Sequence, residues 1–245
     1  MRITPLSEGN IHGPVLVCLP GAMCTPQVFE SAALLSGFPA IGLGWLEGGG
    51  THDLDSIASR VCNAIVDLPS VVLVGHSLGT SIAMLVAMQE SQSGSTRIKG
   101  LVLSNSGANT RGHGDITKLV ERIRHDWGDA FWAAFIARCF RTLPSSPLLE
   151  EVRAYPQRLD GSCVIEVLLS QQAIDFVPLL HILPRVPTAI VHGKHDPART
   201  IAHAHEMANG IAWATLHVMD TGHTSCAEDP VGFASIVRDI ARAGT

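Results

Sequence analysis

The feature that most constrains the fold is a series of short apolar runs separated by helical patterns. The runs have the length of strands and are nearly continuous in Val, Leu and Ile. They are PVLVCLP (14–20), VVLV (71–74), IKGLVLSNS (98–106), PTAIVH (187–192) and ATLHVMD (214–220). A strand that is buried on both faces lacks the apolar–polar alternation of a surface strand, so these runs predict a mostly parallel sheet covered on both sides.

Apolar residues at helical spacing lie between several of these runs. They predict helices over 53–68 and 78–90, and a last helix that begins near Pro230, where proline is tolerated in a first turn. Strands that alternate with helices imply right-handed crossovers. The predicted fold class is therefore α/β, with a doubly wound, mostly parallel central sheet flanked by helices.

Residues 108–161 interrupt this alternation. They contain no clean strand, but they hold helix-like segments, prolines, and the aromatic residues Trp127 and Trp132. We interpret 108–161 as a small helical cap insertion, with 1–107 and 162–245 forming one core. On this interpretation the sheet pattern resumes from about residue 162.

Composition narrows the classes of function. The chain has 245 residues, of which 46% are hydrophobic and 16% charged, so it can bury a sizeable core. The net charge of −5 and the absence of long Lys/Arg runs argue against a nucleic-acid partner. No run reaches the roughly 20 apolar residues of a membrane span, and no signal-like segment opens the chain, so no membrane association and a cytoplasmic location are expected. The six scattered cysteines are expected to stay free thiols.

The segment VVLVGHSLGTSIAML (71–85) carries the strongest chemical signal. An apolar strand enters a G-x-S-x-G turn, and a helical pattern follows at once. This context is that of a nucleophile elbow, which exposes the serine hydroxyl on a strained turn, with Gly75 and Gly79 leaving room for the neighbouring strand and helix. Ser77 is therefore the predicted nucleophile. The alternative is that Ser77 only caps the helix after a glycine turn.

A serine nucleophile needs a base, and His223 is the predicted one. It lies between the last apolar run and the last helix, in a loop at the same sheet edge as Ser77. Other histidines are not predicted to be the base. His217 lies inside a strand run, His76 is expected to pack away from the serine, and His12, His52, His113 and His125 are expected outside the loops that face Ser77.

Asp196 is the predicted acid because it is the first carboxylate after the run 187–192. The loop after the run 98–106 offers Ser104, Asn105 and Ser106 but no carboxylate, so it is set aside. The chain order Ser77, Asp196, His223 is the order expected for this class of elbow.

Acyl transfer also needs donors for the developing oxyanion. The N–H of Leu78, directly after the nucleophile, is one candidate, and the N–H of Ala22, which follows Gly21 after the first apolar run, is the other. The alternative for the second donor is an ordinary Pro-Gly turn.

A metal site is the competing interpretation of the histidines in HGKHDPARTIAHAHEMA (192–208). His203 and His205 are two residues apart on a predicted helix and so do not share a face, and H-E-x-x-H is absent. No metal ligand and no cofactor are predicted.

Four motifs together resemble the α/β-hydrolase superfamily, and within it the small single-domain carboxylesterases and lactonases. They are LPGAM, GHSLG, VPTAIVHGKHDP and DTGHTSCAEDPVGF, in the family's order. The resemblance implies the same sheet, a cap at 108–161, a Ser77–His223–Asp196 triad, and an oxyanion hole from Ala22 and Leu78. Too few residues precede the first apolar run for the usual opening hairpin, so the sheet is expected to be trimmed at its N-terminal edge. Pro20-Gly21 also stands where many relatives have His-Gly.

The predicted function is hydrolysis of a carboxylic ester or lactone of a small apolar or aromatic substrate, through an acyl-enzyme. The predicted substrate-binding residues are Met23, Trp127, Phe131, Trp132 and Phe135. The alternatives are a thioesterase, a C–C hydrolase or a hydroxynitrile lyase on the same triad, or a ligand receptor without catalysis. The oligomeric state is left open.

Overall fold

A computed structural model of the protein describes residues 1–9 and 13–245, so His12 lies outside the described residues. Within them, seven strands form one sheet in the order β1-β3-β2-β4-β5-β6-β7. Only β1 runs antiparallel to its neighbour β3. The strands are β1 (Arg2–Ser7), β2 (Val15–Leu19), β3 (Ala40–Gly44), β4 (Val71–His76), β5 (Ile98–Ser104), β6 (Thr188–Gly193) and β7 (Ala214–Met219). This sheet confirms the predicted α/β fold class with its mostly parallel central sheet.

Helices cover both faces of the sheet. They are α1 (Glu30–Ser36), α2 (Leu54–Ala64), α3 (Leu78–Gln92), α4 (Ile116–Asp126), α5 (Asp129–Cys139), α6 (Leu148–Ala154), α7 (Gly161–Ala173), α8 (Ile201–Gly210), α9 (Ser225–Glu228) and α10 (Pro230–Ala243). Short 3₁₀ turns occupy Pro26–Phe29, Pro156–Arg158 and Val177–Ile182. In the described residues, no helix combines the length and the apolar character needed to cross a bilayer.

Strand β4 explains why the apolar runs are continuous. Val71 and Leu73 pack in the core that includes α2 and α3, whereas Val72 and Val74 pack in the core that includes α1 and α10. All four side chains are fully buried. Burying each such side chain stabilises the fold by roughly 1.5–3 kcal/mol, so both faces of the strand hold it in place.

Two parts of the fold differ from the sequence-based expectation. The apolar runs did not include β3, whose sequence AIGLG is short and rich in glycine. In addition, the sheet does not resume at residue 162. The Asp160 side chain caps helix α7, whose buried Val164, Val167, Leu168 and Gln171 recur at helical spacing, and the next strand begins at Thr188. The division into a core and a cap at 108–161 stays a prediction.

Candidate active site

Ser77 lies on a strained turn between β4 and α3. Its backbone has φ 53° and ψ −120°, a conformation that costs a residue other than glycine of order 1–3 kcal/mol. The two flanking glycines allow this turn to pack. A Cβ on Gly79 would lie 2.0 Å from the Leu19 carbonyl oxygen, and one on Gly75 would lie 2.7 Å from the Gly79 oxygen. The turn therefore holds the Ser77 hydroxyl at the carboxyl end of the sheet.

The structure brings the three predicted catalytic residues together. His223 Nε2 lies 3.0 Å from Ser77 Oγ, and His223 Nδ1 lies 2.8 Å from Asp196 Oδ2. The side chain of Asp196 is fully buried, and that of His223 is 7% exposed. These residues follow β4, β6 and β7, whose carboxyl ends share one sheet edge. The arrangement allows a proton to pass from the Ser77 hydroxyl to an imidazole that a carboxylate orients.

Asp196 is held as a carboxylate by its neighbours. Its Oδ1 accepts hydrogen bonds from the backbone N–H of Ala198 (2.7 Å) and of Arg199 (2.9 Å). Burial by itself would raise the pKa of Asp196, but the hydrogen bond and charge of His223, the Arg199 amide and Asn105 outweigh it. The pKa of Asp196 is therefore well below its ordinary value. Asp196 is ionised at neutral pH and can stabilise a protonated His223.

The two predicted oxyanion donors border the same site. Gly21 packs against the nucleophile, since a Cβ on Gly21 would lie 3.0 Å from Ser77 Cβ. Leu78 is the first residue of α3. Neither the Ala22 N–H nor the Leu78 N–H donates a hydrogen bond to a group in the described part of the chain. Both amides are thus available to a ligand, and their role as an oxyanion hole stays a prediction.

A cavity of about 160 Å³ lies beside Ser77 and His223. Its walls come from the loop after β2, the Ser77 turn, and helices α4, α5 and α7. Apolar walls are provided by Met23, Leu78, Ile116, Leu119, Phe135 and Leu168. The cavity can therefore hold a small apolar group next to the serine hydroxyl.

Comparison with known proteins identifies the family. The sequence model described as "Alpha/beta hydrolase family" matches residues 16–236. The chain belongs to this family. The match confirms the resemblance carried by the four motifs and makes the protein a hydrolase by family. No curated protein matches the chain.

Solved structures of other hydrolases have the same fold. An enol-lactonase from Burkholderia xenovorans LB400 is 20% identical, with 98% of this chain and 94% of that chain covered and a TM-score of 0.80. An esterase from Exiguobacterium antarcticum is 20% identical over 98% and 94% of the two chains, with a TM-score of 0.82. A thermophilic esterase from Thermogutta terrifontis is 22% identical over 99% and 93%, with a TM-score of 0.78. At these identities the likeness establishes the fold.

The predicted substrate-binding residues of this hydrolase divide into two groups. Met23 and Phe135 line the cavity. Trp127, Phe131 and Trp132 do not, which corrects the sequence-based assignment. The Trp127 ring packs on the rings of Phe131 and Trp132, at centroid distances of 5.7 and 5.5 Å. Phe131 is buried in the core, and Trp132 borders a separate surface groove with Leu143.

Two histidines that the sequence analysis set aside also line the cavity of the hydrolase. The His76 ring lies 5.0 Å from the His223 ring, and burial, followed by the charge of His223, lowers the pKa of His76 to about 3. His113 lies between β5 and α4, and burial, followed by the charge of Arg199, lowers its pKa to about 3. Both imidazoles are neutral at neutral pH. Sequence patterns carry no signal for His113, because it does not lie at a strand end.

Two of the histidines around α8, His203 and His195, make hydrogen-bond contacts with protein groups. The ring nitrogens of His203 lie 3.1 Å from the Thr200 N–H and 2.8 Å from the Arg111 carbonyl oxygen, and His195 Nε2 lies 2.6 Å from Asp220 Oδ1. Among residues 1–9 and 13–245, no group of three His, Cys, Asp or Glu side chains is arranged to hold a metal ion.

Proposed function

We propose that this α/β hydrolase is a serine carboxylesterase or lactonase that acts through an acyl-enzyme. The observation that carries the proposal is the continuous chain of contacts from Ser77 Oγ to His223 Nε2 (3.0 Å) and from His223 Nδ1 to Asp196 Oδ2 (2.8 Å). A buried carboxylate, an imidazole and a serine on a strained turn form the constellation that activates a hydroxyl for attack on a carbonyl.

The proposed reaction begins when His223 Nε2 takes the proton of Ser77 as Oγ attacks the substrate carbonyl carbon. The N–H groups of Ala22 and Leu78 bind the negative oxygen of the tetrahedral intermediate. His223 then donates the proton to the leaving alkoxide as the ester C–O bond breaks, which leaves an acyl-enzyme on Ser77.

Hydrolysis of the acyl-enzyme uses the same groups. His223 accepts a proton from the water that attacks the acyl carbon, and it returns that proton to Ser77 Oγ as the acid product leaves. Asp196 stays ionised throughout. It accepts the hydrogen bond from His223 Nδ1–H and so keeps Nε2 free to act as the base. These steps need only the side chains and backbone groups named here.

The cavity supports a small apolar acyl or aromatic group as the substrate. Its volume of about 160 Å³ is below the roughly 300–1,000 Å³ of pockets that hold drug-sized ligands. Phe135, Leu119 and Leu168 provide apolar walls on the helical side of the cavity. That an enol-lactonase and esterases share the fold further supports an ester or lactone as the substrate.

A hydrolysis panel tests the proposal. The panel contains p-nitrophenyl acetate, butyrate and octanoate, simple five- and six-membered lactones, and short acyl thioesters. Ser77→Ala is the blank. Ser106→Ala is the matched control, because Ser106 is also buried just beyond a strand end and its Oγ has no hydrogen-bond partner in the described residues.

We expect wild type and Ser106→Ala to cleave short esters or lactones, and Ser77→Ala to lose at least about 10⁴-fold in kcat/KM. No cleavage of any ester or lactone by wild type would contradict the proposal. Cleavage of thioesters alone, dependent on Ser77, would replace it with a thioesterase.

A further inference from the structure

We propose that Asn105 is a positioning residue of this hydrolase, whose side-chain amide fixes the acid Asp196 to the loop that carries the base His223. The inference rests on the proposed catalytic roles of Asp196 and His223 and deepens them. Nothing in the motifs assigns a role to Asn105, because it lies in the strand-end loop that has no carboxylate.

The Asn105 amide joins two loops of the site. Asn105 directly follows β5 and is fully buried. Its Nδ2 donates one hydrogen bond to Asp196 Oδ2 (3.1 Å) and one to the Gly222 carbonyl oxygen (3.1 Å). Gly222 immediately precedes His223. A single NH₂ group therefore ties the acid to the backbone next to the base, and both of its hydrogens have an acceptor.

The orientation of the amide is fixed from its other end. The buried Ser104 hydroxyl donates to Asn105 Oδ1 at 2.7 Å. If the amide were turned over, its oxygen would face the Asp196 carboxylate and the Gly222 carbonyl, which are both acceptors. Ser104 thus keeps the donor side of Asn105 toward Asp196.

The backbone of Asn105 is also held in a restricted conformation. Its φ is +51°, in the left-handed region, which asparagine adopts more readily than most residues other than glycine. The Asn105 N–H donates to the Val191 carbonyl of the neighbouring strand β6 at 2.8 Å. A strained residue anchored to the sheet therefore presents its amide to the catalytic carboxylate.

The contact matters because Asn105 and His223 share one oxygen of Asp196. His223 Nδ1 and Asn105 Nδ2 both contact Oδ2, while backbone amides contact Oδ1. Without Asn105, His223 is the one remaining partner of Oδ2 among the described residues, and the Gly222 carbonyl loses its side-chain donor. Because Asn105 is not in the wall of the substrate cavity, we expect its loss to act on kcat rather than on KM.

Several titratable groups surround Asp196 and bear on any test by pH. Besides His223, they are His76, His113, His192, Arg199 and Cys139. Replacing Asn105 with aspartate would add a second carboxyl within hydrogen-bond distance of Asp196. Two carboxylates at one buried site hold a shared proton until the pH is high enough to remove it. With that proton, the new carboxyl can still donate to Asp196, and without it the two groups repel each other.

The experiment uses Asn105→Gly, Asn105→Ala and Asn105→Asp in the full chain, with Asn109→Ala and Asn109→Asp as matched controls. Glycine removes the amide and relieves the positive φ, whereas alanine removes the amide and keeps the strain. Asn109 lies in the same loop and is also buried, but its Nδ2 donates to Asp175 (3.1 Å) and Glu206 (3.3 Å), away from the catalytic residues. Each variant is assayed for kcat, KM and melting temperature with a p-nitrophenyl ester that wild type cleaves.

We expect Asn105→Gly and Asn105→Ala to lower kcat by about 10- to 100-fold with KM within about threefold, because misplacement of a catalytic group by about 1 Å costs up to about 100-fold. Asn109→Ala should keep the wild-type kcat. The ratio of kcat for Asn105→Asp to kcat for wild type should fall as the pH rises from 6 to 9, and the same ratio for Asn109→Asp should stay flat.

Three results would overturn the inference. The first is a wild-type kcat in folded Asn105→Gly. The second is a loss of kcat in Asn105→Ala but not in Asn105→Gly, which would assign the effect to backbone strain. The third is a ratio of kcat for Asn105→Asp to kcat for wild type that does not change with pH. Ser77→Ala, assayed in parallel, separates the two proposals. If Ser77→Ala keeps activity, the proposed function fails, whereas an inactive Ser77→Ala beside a fully active Asn105→Gly defeats only the role of Asn105.

Discussion

The sheet edge that carries Ser77, Asp196 and His223 differs sharply from the helical segment 113–139, whose helices α4 and α5 line the cavity. At the sheet edge, the buried side chains of Asp196 and Asn105 are each held by several hydrogen bonds, and Asp196 accepts them from two backbone amides, His223 and Asn105. In the helical segment, helices α4 and α5 bury an apolar stripe and leave most of their other residues exposed. The side chains that need fixed distances for the proposed reaction lie at strand ends, whereas helices provide part of the cavity wall.

The interactions that hold the two regions differ in strength as well. The helical segment has ion pairs such as Arg124 with Glu121, in which both side chains are about half exposed. Exposed pairs of this kind contribute roughly 0–1 kcal/mol. A buried carboxylate that loses its partners costs far more. We therefore expect substitutions at the sheet edge to abolish the reaction and substitutions in the helical segment to change which substrate is used.

The largest expected difference between the two regions comes from a change of one atom. Asp196→Asn keeps the shape of the acid, but its amide no longer stabilises a protonated His223 or selects the required tautomer. We expect kcat to fall by about 10⁴-fold without unfolding. Asp129→Asn, an exposed aspartate in the first turn of α5, is the counterpart from the helical segment and should keep the wild-type kcat. Steady-state kinetics and melting curves check this, and a loss below tenfold in Asp196→Asn would contradict the role of the acid.

The pH dependence of stability compares one histidine from each region, His76 from the sheet edge and His113 from the helical segment. Because the folded pKa of His76 is lowered to about 3, the unfolded chain binds a proton below about pH 6.5 that the folded protein excludes. Stability is therefore full at higher pH and falls on acidification, by about 2 kcal/mol between pH 7.5 and 5 for one such histidine. His76→Gln should remove this loss.

His113→Gln should remove a smaller loss of about 1 kcal/mol, because His113 is partly exposed. Urea unfolding at pH 7.5 and pH 5 measures both variants. If both variants lose less stability on acidification than wild type, the helical segment covers the site in solution. If only His76→Gln does so, the helical segment opens in solution. If the stability of both variants depended on pH as that of wild type does, the conclusion that the two histidines stay neutral in the folded protein would be wrong.

The smallest expected effect concerns substrate choice. Phe135→Ala enlarges the cavity at its helical wall, so longer acyl chains should fit. We expect the ratio of kcat/KM for p-nitrophenyl octanoate over butyrate to rise by at least about tenfold, because a single methylene in an apolar pocket changes specificity by about that much and this substitution removes a whole phenyl ring. Trp132→Ala, on the same helix but outside the cavity, should leave the ratio unchanged. If the ratio changed in Trp132→Ala and not in Phe135→Ala, Trp132 rather than Phe135 would line the cavity.

The sheet could be predicted from the sequence where burial alone shapes the pattern. Strand β4 is apolar at each of 71–74 because both of its faces are covered, and that signal is local. Strand β3 has no such signal, since two of its five residues are glycine. The sequence predicts that the sheet resumes from about residue 162, whereas the Asp160 side chain caps helix α7 there; Val164 and Ile165 also suit a strand, so residue type does not separate the two.

The residues of the site likewise divide into those that the local sequence pattern predicts and those that it does not. The positions of Ser77, Asp196 and His223 follow from strand ends and chain order, since parallel strands bring their carboxyl ends together. Asn105 and His113 could not be assigned in this way, because their roles depend on contacts between distant loops. The sequence did contain one usable signal for Asn105, a polar residue at the end of a buried strand at the same edge. Residue type alone predicts Trp127 and Phe131 in the cavity, whereas the directions in which the end of α4 and helix α5 turn these two rings decide what each contacts.

Covalent labelling with a fluorophosphonate tests the central claim most directly. The reagent phosphonylates a serine only when a base activates it, and mass spectrometry of the digested protein locates the adduct. The account predicts one adduct on the peptide that contains Ser77, none in Ser77→Ala, and labelling slowed by at least about 100-fold in His223→Ala. An unlabelled wild-type protein, or an adduct on a serine other than Ser77, would contradict it.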